Sequence, residues 1–352
     1  MSSANHDPIS INGREITSSN PYVITEIGTN HNRDIETAKE LIDVTAAAGA
    51  DAVKYQIYHP EDIVTEGISA EEYGFDEFYP EDTAMEVYEK HLTTPKEWFP
   101  ELCDYAAEQG LDNIATVHCR DCTSFVAECD MDAFKVASMD LTTLPLLAEI
   151  ASYDKPIILS TGMGSLAEID DAVATIRKEA TDWLALLHCV SQYPADPETM
   201  HLRNIPMLQS AFGLPVGLSD HTLSPWTSGF AVAHGASIIE KHITLDSSQQ
   251  GPDHGFALEP DQLADLVEAV QAAGGSLGST TRQLPDVGNR EEYRRSVVAD
   301  EAIVEGATIE EGDVRFARPG SGIEPEYIDR VLGSTAVRDI DAETPLQWDD
   351  IC

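Results

Sequence analysis

From residue 22 to about 275 the chain alternates eight times between short β-branched runs and amphipathic, Ala- and Glu-rich stretches. The strand candidates are 22–27, 52–56, 113–116, 133–137, 156–160, 183–188, 215–218 and 237–242. Between and after them, 35–48, 95–109, 123–129, 145–152, 166–179, 204–212, 227–234 and 261–273 read as helices. The first helix shows the pattern, with Ile35, Ala38, Leu41, Ile42 and Thr45 recurring at three- and four-residue intervals behind a capping Asp34. Such alternation implies right-handed βαβ units and a parallel sheet. Eight units in roughly 255 residues fit a closed (β/α)8 barrel. An open doubly wound sheet is the rival, but its glycine fingerprint is missing; Gly162-Met-Gly164 is too weak a match.

The rest of the 352 residues divides around that barrel. Residues 1–20 read as a polar extension, 21–275 as the barrel and 276–295 as a linker. Residues 296–352 form a small β-rich piece, too short for a robust core of its own. No apolar run approaches the roughly 18 residues of a membrane span, and the N-terminus lacks a signal-peptide core. Six irregularly spaced cysteines are too few for a disulfide framework, so the expected setting is a reducing cytoplasm. With 63 acidic against 21 basic residues the formal net charge is −42. That field repels nucleic acid and anionic lipid, and it suits a halophilic cytoplasm in which salt screens the surface.

In a barrel of this kind, chemistry collects at the C-terminal ends of the strands. Here those ends carry Glu26; Lys54 and Gln56; Thr116; Lys135 and Ser138; Ser160; His188, with Ser191 and Tyr193 beyond; Ser219 and His221; and Glu240 and His242. Two lysines among hydroxyls, inside so acidic a protein, point to an anionic ligand holding phosphate or carboxylate. His221 and His242 end adjacent strands and could share a divalent cation such as Mn2+ or Co2+, the alternative being a hydrogen-bonded histidine pair. The segment His118-Cys-Arg-Asp-Cys122 contains one CxxC without a second pair, and reads as free thiols at a helix start rather than a zinc site.

At these positions the sequence resembles the sialic acid (N-acetylneuraminate) synthase family, including the legionaminic and pseudaminic acid synthases. The strings that carry the resemblance are Glu26-Ile-Gly-Thr-Asn-His31, Gly49-Ala-Asp-Ala-Val-Lys-Tyr-Gln56, Lys135-Val-Ala-Ser138 and Pro156-Ile-Ile-Leu-Ser-Thr-Gly-Met163. Leu187-His-Cys189, Gly217-Leu-Ser-Asp-His-Thr222, Glu240-Lys-His242 and Gly251-Pro-Asp-His254 continue them, and Arg318-Pro-Gly-Ser-Gly322 looks like the antifreeze-like (SAF) domain that ends these synthases. The resemblance implies a barrel followed by that domain, and condensation of phosphoenolpyruvate with an N-acylated mannosamine-type sugar to give a nonulosonic acid and phosphate.

It further implies that Glu26 is the acid/base carboxylate and that His221 and His242 hold a divalent metal, Mn2+ first, with Co2+ or Mg2+ as alternatives. Lys54, Thr116, Lys135, Ser138, Ser160, Ser191 and Ser219 match phosphoenolpyruvate-binding positions. Gln56, Tyr193, Glu240, Asp253 and Arg318 match sugar-binding ones, with Arg318 donated across a domain-swapped homodimer. The chain departs from the pattern at Thr116-Val-His118, at Met139-Asp140 and at Ser191, changes that bear on the cleft wall and the sugar. A phosphoenolpyruvate aldol-type synthase for another aldose, and a non-catalytic sugar-binding protein, are the competing expectations.

Overall fold

The computed structural model describes residues 9–129, 131–179, 183–279, 281–282 and 287–352. It begins with a hairpin, β1 (Ile9–Ile11) and β2 (Arg14–Ile16), where the sequence reading expected only a polar extension. The signal was present and short: Asn12-Gly13, both at positive φ, form the turn between two runs of alternating hydrophobicity. Ile9, Ile11 and Ile16 are buried against Tyr22, Ile24, Ala52, Ala133 and Ile238, which stand at or near the N-terminal ends of the barrel strands. The hairpin therefore plugs that end, each isoleucine contributing about 1.5–3 kcal/mol by leaving water.

The barrel strands follow: β3 (Tyr22–Glu26), β4 (Ala52–Ile57), β5 (Asp112–Val117), β6 (Ala133–Val136), β7 (Ile157–Ser160), β8 (Leu184–Cys189), β9 (Val216–Asp220) and β10 (Ile238–His242). All eight run parallel, each beside its neighbours in sequence, and β10 closes on β3. This is a closed (β/α)8 barrel. Helices lie between the strands, and side chains from both pack as one outer layer around Val53, Phe134, Leu186 and Ile239. After β4 the chain makes an excursion before the next long helix, Phe99–Glu108, with a small core of its own (Val64, Phe75, Val87, Leu92). Among the described residues, no helix is long and apolar enough to cross a membrane.

Met1–Gly278 and Ser279–Cys352 are two compact units. The stretch read as a linker holds more structure than expected: the last barrel helix, Pro260–Ser276, runs into it, and Val287–Tyr293 forms another. The C-terminal unit pairs β11 (Ser296–Ala299) antiparallel with β12 (Val314–Ala317). Val297, Ile309, Ile323, Val331 and Leu346 form its core.

Candidate active site

Side chains alternate across a strand, so residues two apart share a face. On β4, Lys54 and Gln56 point into the barrel mouth; on β9 and just beyond it, Ser219 and His221; on β10, Glu240 and His242. With Thr116, Lys135, Ser138, Ser160, Ser191 and Tyr193 they line one cavity of about 370 Å3, within the usual range for a small-molecule site. The intervening residues face outward. Asp220 and Lys241 form a buried pair at 3.4 Å on the far side of β9 and β10, and Ser228 donates to Asp220 at 2.8 Å.

The cavity floor is an ionic network. Lys54 pairs with Glu26, donates to Thr116 Oγ1 at 2.8 Å, and lies 3.7 Å from Glu240. Lys135 donates to Ser160 Oγ at 2.8 Å and lies 3.7 Å from the same Glu240 oxygen. Gln56 donates to Glu26 at 3.2 Å and Ser219 to Glu240 at 2.9 Å. Burial draws Lys54 down to about 8, with Lys135 pulling the same way and Glu240 opposing. Burial raises Glu240, but Lys135 and Lys54 outweigh it and hold its carboxyl below the ordinary range. Two buried cations are thus offset by two buried carboxylates, an arrangement that survives only because each is paired and hydrogen-bonded.

Beside this network, Gly162 leaves space that a side chain would fill. A Cβ there would come within 2.7 Å of Ser191 Oγ and 2.9 Å of Ser138 Oγ. Ser138 is occupied by the Gly162 N–H, whereas Ser191 Oγ is buried without a hydrogen-bond partner. A buried free hydroxyl in the same cavity as a buried lysine pair is a prepared donor for an anion.

The histidines stand opposite. Their ring centroids are 5.6 Å apart, and burial pushes both below the ordinary imidazole value, His242 further because His221 and the lysines add to it. His221 Nδ1 donates to the Val190 carbonyl at 3.1 Å, which leaves Nε2 as a lone pair. His242 Nδ1 is buried with no hydrogen-bond partner, 3.7 Å from Asp253 Oδ2. Gly28, at φ +54°, keeps the space between them open: a Cβ would meet Asp253 Oδ2 at 2.8 Å, Glu26 Oε1 at 3.4 Å and His242 Nδ1 at 3.5 Å. The orphaned His242 Nδ1 beside the Asp253 carboxylate, with a lone pair on His221 Nε2 across the cleft, supplies nitrogen and oxygen donors of the kind a divalent cation takes.

The NeuB family profile matches residues 41–282 and the SAF domain residues 294–351. The chain belongs to the NeuB family. It is 34% identical to N,N'-diacetyllegionaminic acid synthase of Legionella pneumophila over 94% of each chain. It is 31% identical to pseudaminic acid synthase of Helicobacter pylori over 94% of this chain and 98% of that one. The crystal structure of N-acetylneuraminic acid synthetase from Leptospira borgpetersenii with citrate superposes at a TM-score of 0.73, with 31% identity, covering 81% of this chain and 95% of that one.

In this NeuB-family chain the two main departures from the family strings meet. His118 Nδ1 and Asp140 Oδ2 are 2.7 Å apart, and His118 lines the cavity. The pairing was invisible in sequence because 22 residues separate the partners. His188, read as a strand-end site group, faces away: its Nε2 donates to the Met200 carbonyl at 2.6 Å, and Cys189 takes the cavity side. The parity of β8, not its last polar residue, decides which side chain looks inward. Met139 and Met163 also line the cavity, and no polarity signal marked them. Arg318 belongs to the C-terminal unit, exposed, with its guanidinium 5.2 Å above the Tyr293 ring.

The free-thiol reading of Cys119 and Cys122 is corrected. The helix is there (Arg120–Glu128), and Cys119 caps it by accepting the Cys122 N–H at 3.2 Å, but the two sulfurs are joined in a disulfide. A CxxC opening a helix brings its Cα atoms to 5.2 Å, well inside disulfide reach. Cys103, Cys129, Cys189 and Cys352 are free.

Proposed function

We propose that this NeuB-family protein is a nonulosonic (sialic-type) acid synthase that condenses phosphoenolpyruvate with an N-acylated mannosamine-type sugar and releases phosphate. The observation that carries this reading is the buried pair Lys54 and Lys135, ringed by the hydroxyls of Thr116, Ser138, Ser160, Ser191 and Ser219. Ammonium charge with neutral donors on several sides suits a small ligand bearing both carboxylate and phosphate. The synthase names of its relatives support the same reading.

In the reaction, the enol carbon of phosphoenolpyruvate bonds to the aldehyde carbon of the open-chain sugar. Water adds at the pyruvate C2, and the resulting tetrahedral carbon expels phosphate. Glu26, held between Lys54 and Gln56, is placed to move the protons of these steps. The lysines hold the anion as charge shifts onto the departing phosphate. Glu240, Gln56 and Tyr193 hold the sugar hydroxyls together with Asp253 beside His242, and His118, fixed by Asp140, shapes the cavity wall. His221 and His242, with Asp253 beside them, would hold the divalent cation; it supplies Lewis-acid polarisation of the aldehyde. The mixed nitrogen and oxygen donors favour Mn2+ or Co2+ over Mg2+.

The test is phosphate release from phosphoenolpyruvate in molar salt, with N-acetylmannosamine, a diacetamido-dideoxy sugar and unacylated aldoses. Release is expected only with N-acylated sugars, matched one to one by a nine-carbon keto acid. It should stop on exhaustive chelation and return with Mn2+. Faster release with an unacylated aldose would replace the reading with the aldol-type alternative, and none with any sugar would favour a binding protein.

Lys54 sets a pH limit. Its ammonium binds the anion, and burial has drawn it down to about 8, so kcat/KM for phosphoenolpyruvate should fall as pH rises through that value. Below it the cation is present; above it the site loses a positive charge. The limb should move to higher pH in kcat, because bound anion favours the protonated form. A Lys54→Met variant should be weak and flat through this range; an identical alkaline limb in that variant would assign the titration elsewhere.

A further inference from the structure

His59 lies two residues beyond Ile57 on β4, and Cys119 lies two residues beyond Val117 on β5. Ile57 and Val117 are register partners, so the two loops leave the barrel side by side. Tyr58 and His118 touch edge to face, with centroids at 5.8 Å, and the next pair along is His59 and Cys119. As a result a ring nitrogen of His59 and the sulfurs of Cys119 and Cys122 all lie within 4.8 Å of one another. Among the described residues this is the one trio of histidine, cysteine or carboxylate ligands so gathered. We propose that, when the Cys119–Cys122 disulfide is reduced, these three residues form a binding site for a thiophilic divalent cation such as zinc, separate from the synthase cleft.

A disulfide needs no imidazole; a metal site does. In a tetrahedral zinc site, sulfurs at about 2.3 Å and nitrogen at about 2.0–2.1 Å from the ion stand roughly 3.5–3.8 Å from one another. The trio reaches that spacing by opening the S–S bond and with side-chain adjustments of about an ångström, while the 5.2 Å Cα separation suits both states. Cys122 is fully buried, whereas Cys119 and His59 are partly exposed, so the fourth position faces solvent and takes water.

The surroundings favour thiolates. Cys119 caps a nine-residue helix, where the exposed N–H groups and the dipole stabilise negative sulfur. Lys96 Nζ lies 3.1 Å from His59 Nε2. An ammonium has no acceptor, so Nε2 holds its lone pair on Lys96 in the oxidised protein, and cation binding requires Lys96 to release that nitrogen; the nearby positive charge favours sulfur in the thiolate form. Reduction by a dithiol transfers two electrons and two protons, breaking the S–S bond and forming two S–H groups while the reductant closes to its own disulfide. Cation binding then displaces the two thiol protons.

Cobalt(II) is the probe, added to the full-length chain carrying His221→Ala and His242→Ala so that the cleft histidines cannot compete. Reduced protein should take up one cobalt per chain, with a sulfur-to-cobalt charge-transfer band that equimolar zinc abolishes. Disulfide-bonded protein should show no band, and Cys122→Ser should lose most of it. His59→Ala, at a partly exposed position that tolerates truncation, should weaken binding about 10–100-fold or more, the range for groups that tune metal ligands. No band in protein with both thiols titrated free, or an affinity indifferent to His59→Ala, would overturn the site. None of these readouts involves turnover, so the result stands apart from the synthase reading.

Discussion

A mixed dimer built from Glu26→Gln chains and Arg318→Ala chains is expected to regain about half of the unmodified activity, although each parent homodimer is nearly inactive. Glu26→Gln removes the proton-moving carboxylate while keeping its shape and its contact with Gln56, and should lower kcat about 10²–10⁴-fold. Arg318→Ala removes a planar, doubly donating group suited to fixing sugar oxygens. We propose that Arg318 acts on the cleft of a second copy of the chain, in a domain-swapped homodimer. Two observations support this. Among the described residues of the barrel unit, no arginine lines the cavity at the mouth. And in a chain with 63 acidic residues, Arg318 has no acidic partner among the described residues of its own unit. In the mixed dimer, one barrel keeps its own Glu26 and receives an intact arginine from its neighbour. If Arg318 serves its own barrel instead, every site lacks one group and the mixed dimer stays inactive. Melting curves of both parents separate lost chemistry from lost folding, since Glu26→Gln also leaves Lys54 short of one buried partner.

Lowering salt should destabilise the fold by several kcal/mol, a fall in melting midpoint on the order of 10 °C between molar and 0.1 M KCl. With 63 acidic and 21 basic residues, about two thirds of the carboxylates have no basic partner even if every base is paired. At 1 M salt the screening length is about 3 Å and repulsion reaches only adjacent groups; at 0.1 M it is about 10 Å and whole faces repel. Unfolding relieves that strain by spreading the charges apart. The buried pairs of the cleft and the Asp220–Lys241 pair are shielded from solvent and should be nearly indifferent to the change. The effect should therefore track ionic strength rather than the identity of the monovalent salt. Equal midpoints in molar and millimolar KCl would contradict a surface adapted to salt.

The barrel was legible in the sequence because its information is local. Period-two apolar runs and 3.6-residue helices each declare themselves within a dozen residues, and the polar groups closing each strand mark the mouth without any knowledge of partners. Lys54, Lys135, Glu240 and the two histidines were found this way, and the structure gathers them around one cavity. The Asn12-Gly13 hairpin was equally local but spans three residues a side, too short for periodicity to speak.

The remainder was decided in three dimensions. Which polar residue of a strand looks inward depends on barrel parity, so Cys189 enters the cleft and His188 does not. The gaps above Gly28 and Gly162 exist only once other strands surround them. His118 meets Asp140, and His59 meets Cys119 and Cys122, because the loops of neighbouring strands emerge side by side. Sequence determines what each strand brings to the mouth; closure of the barrel determines what it faces, because contacts between loops far apart in the chain leave no periodic trace within either one.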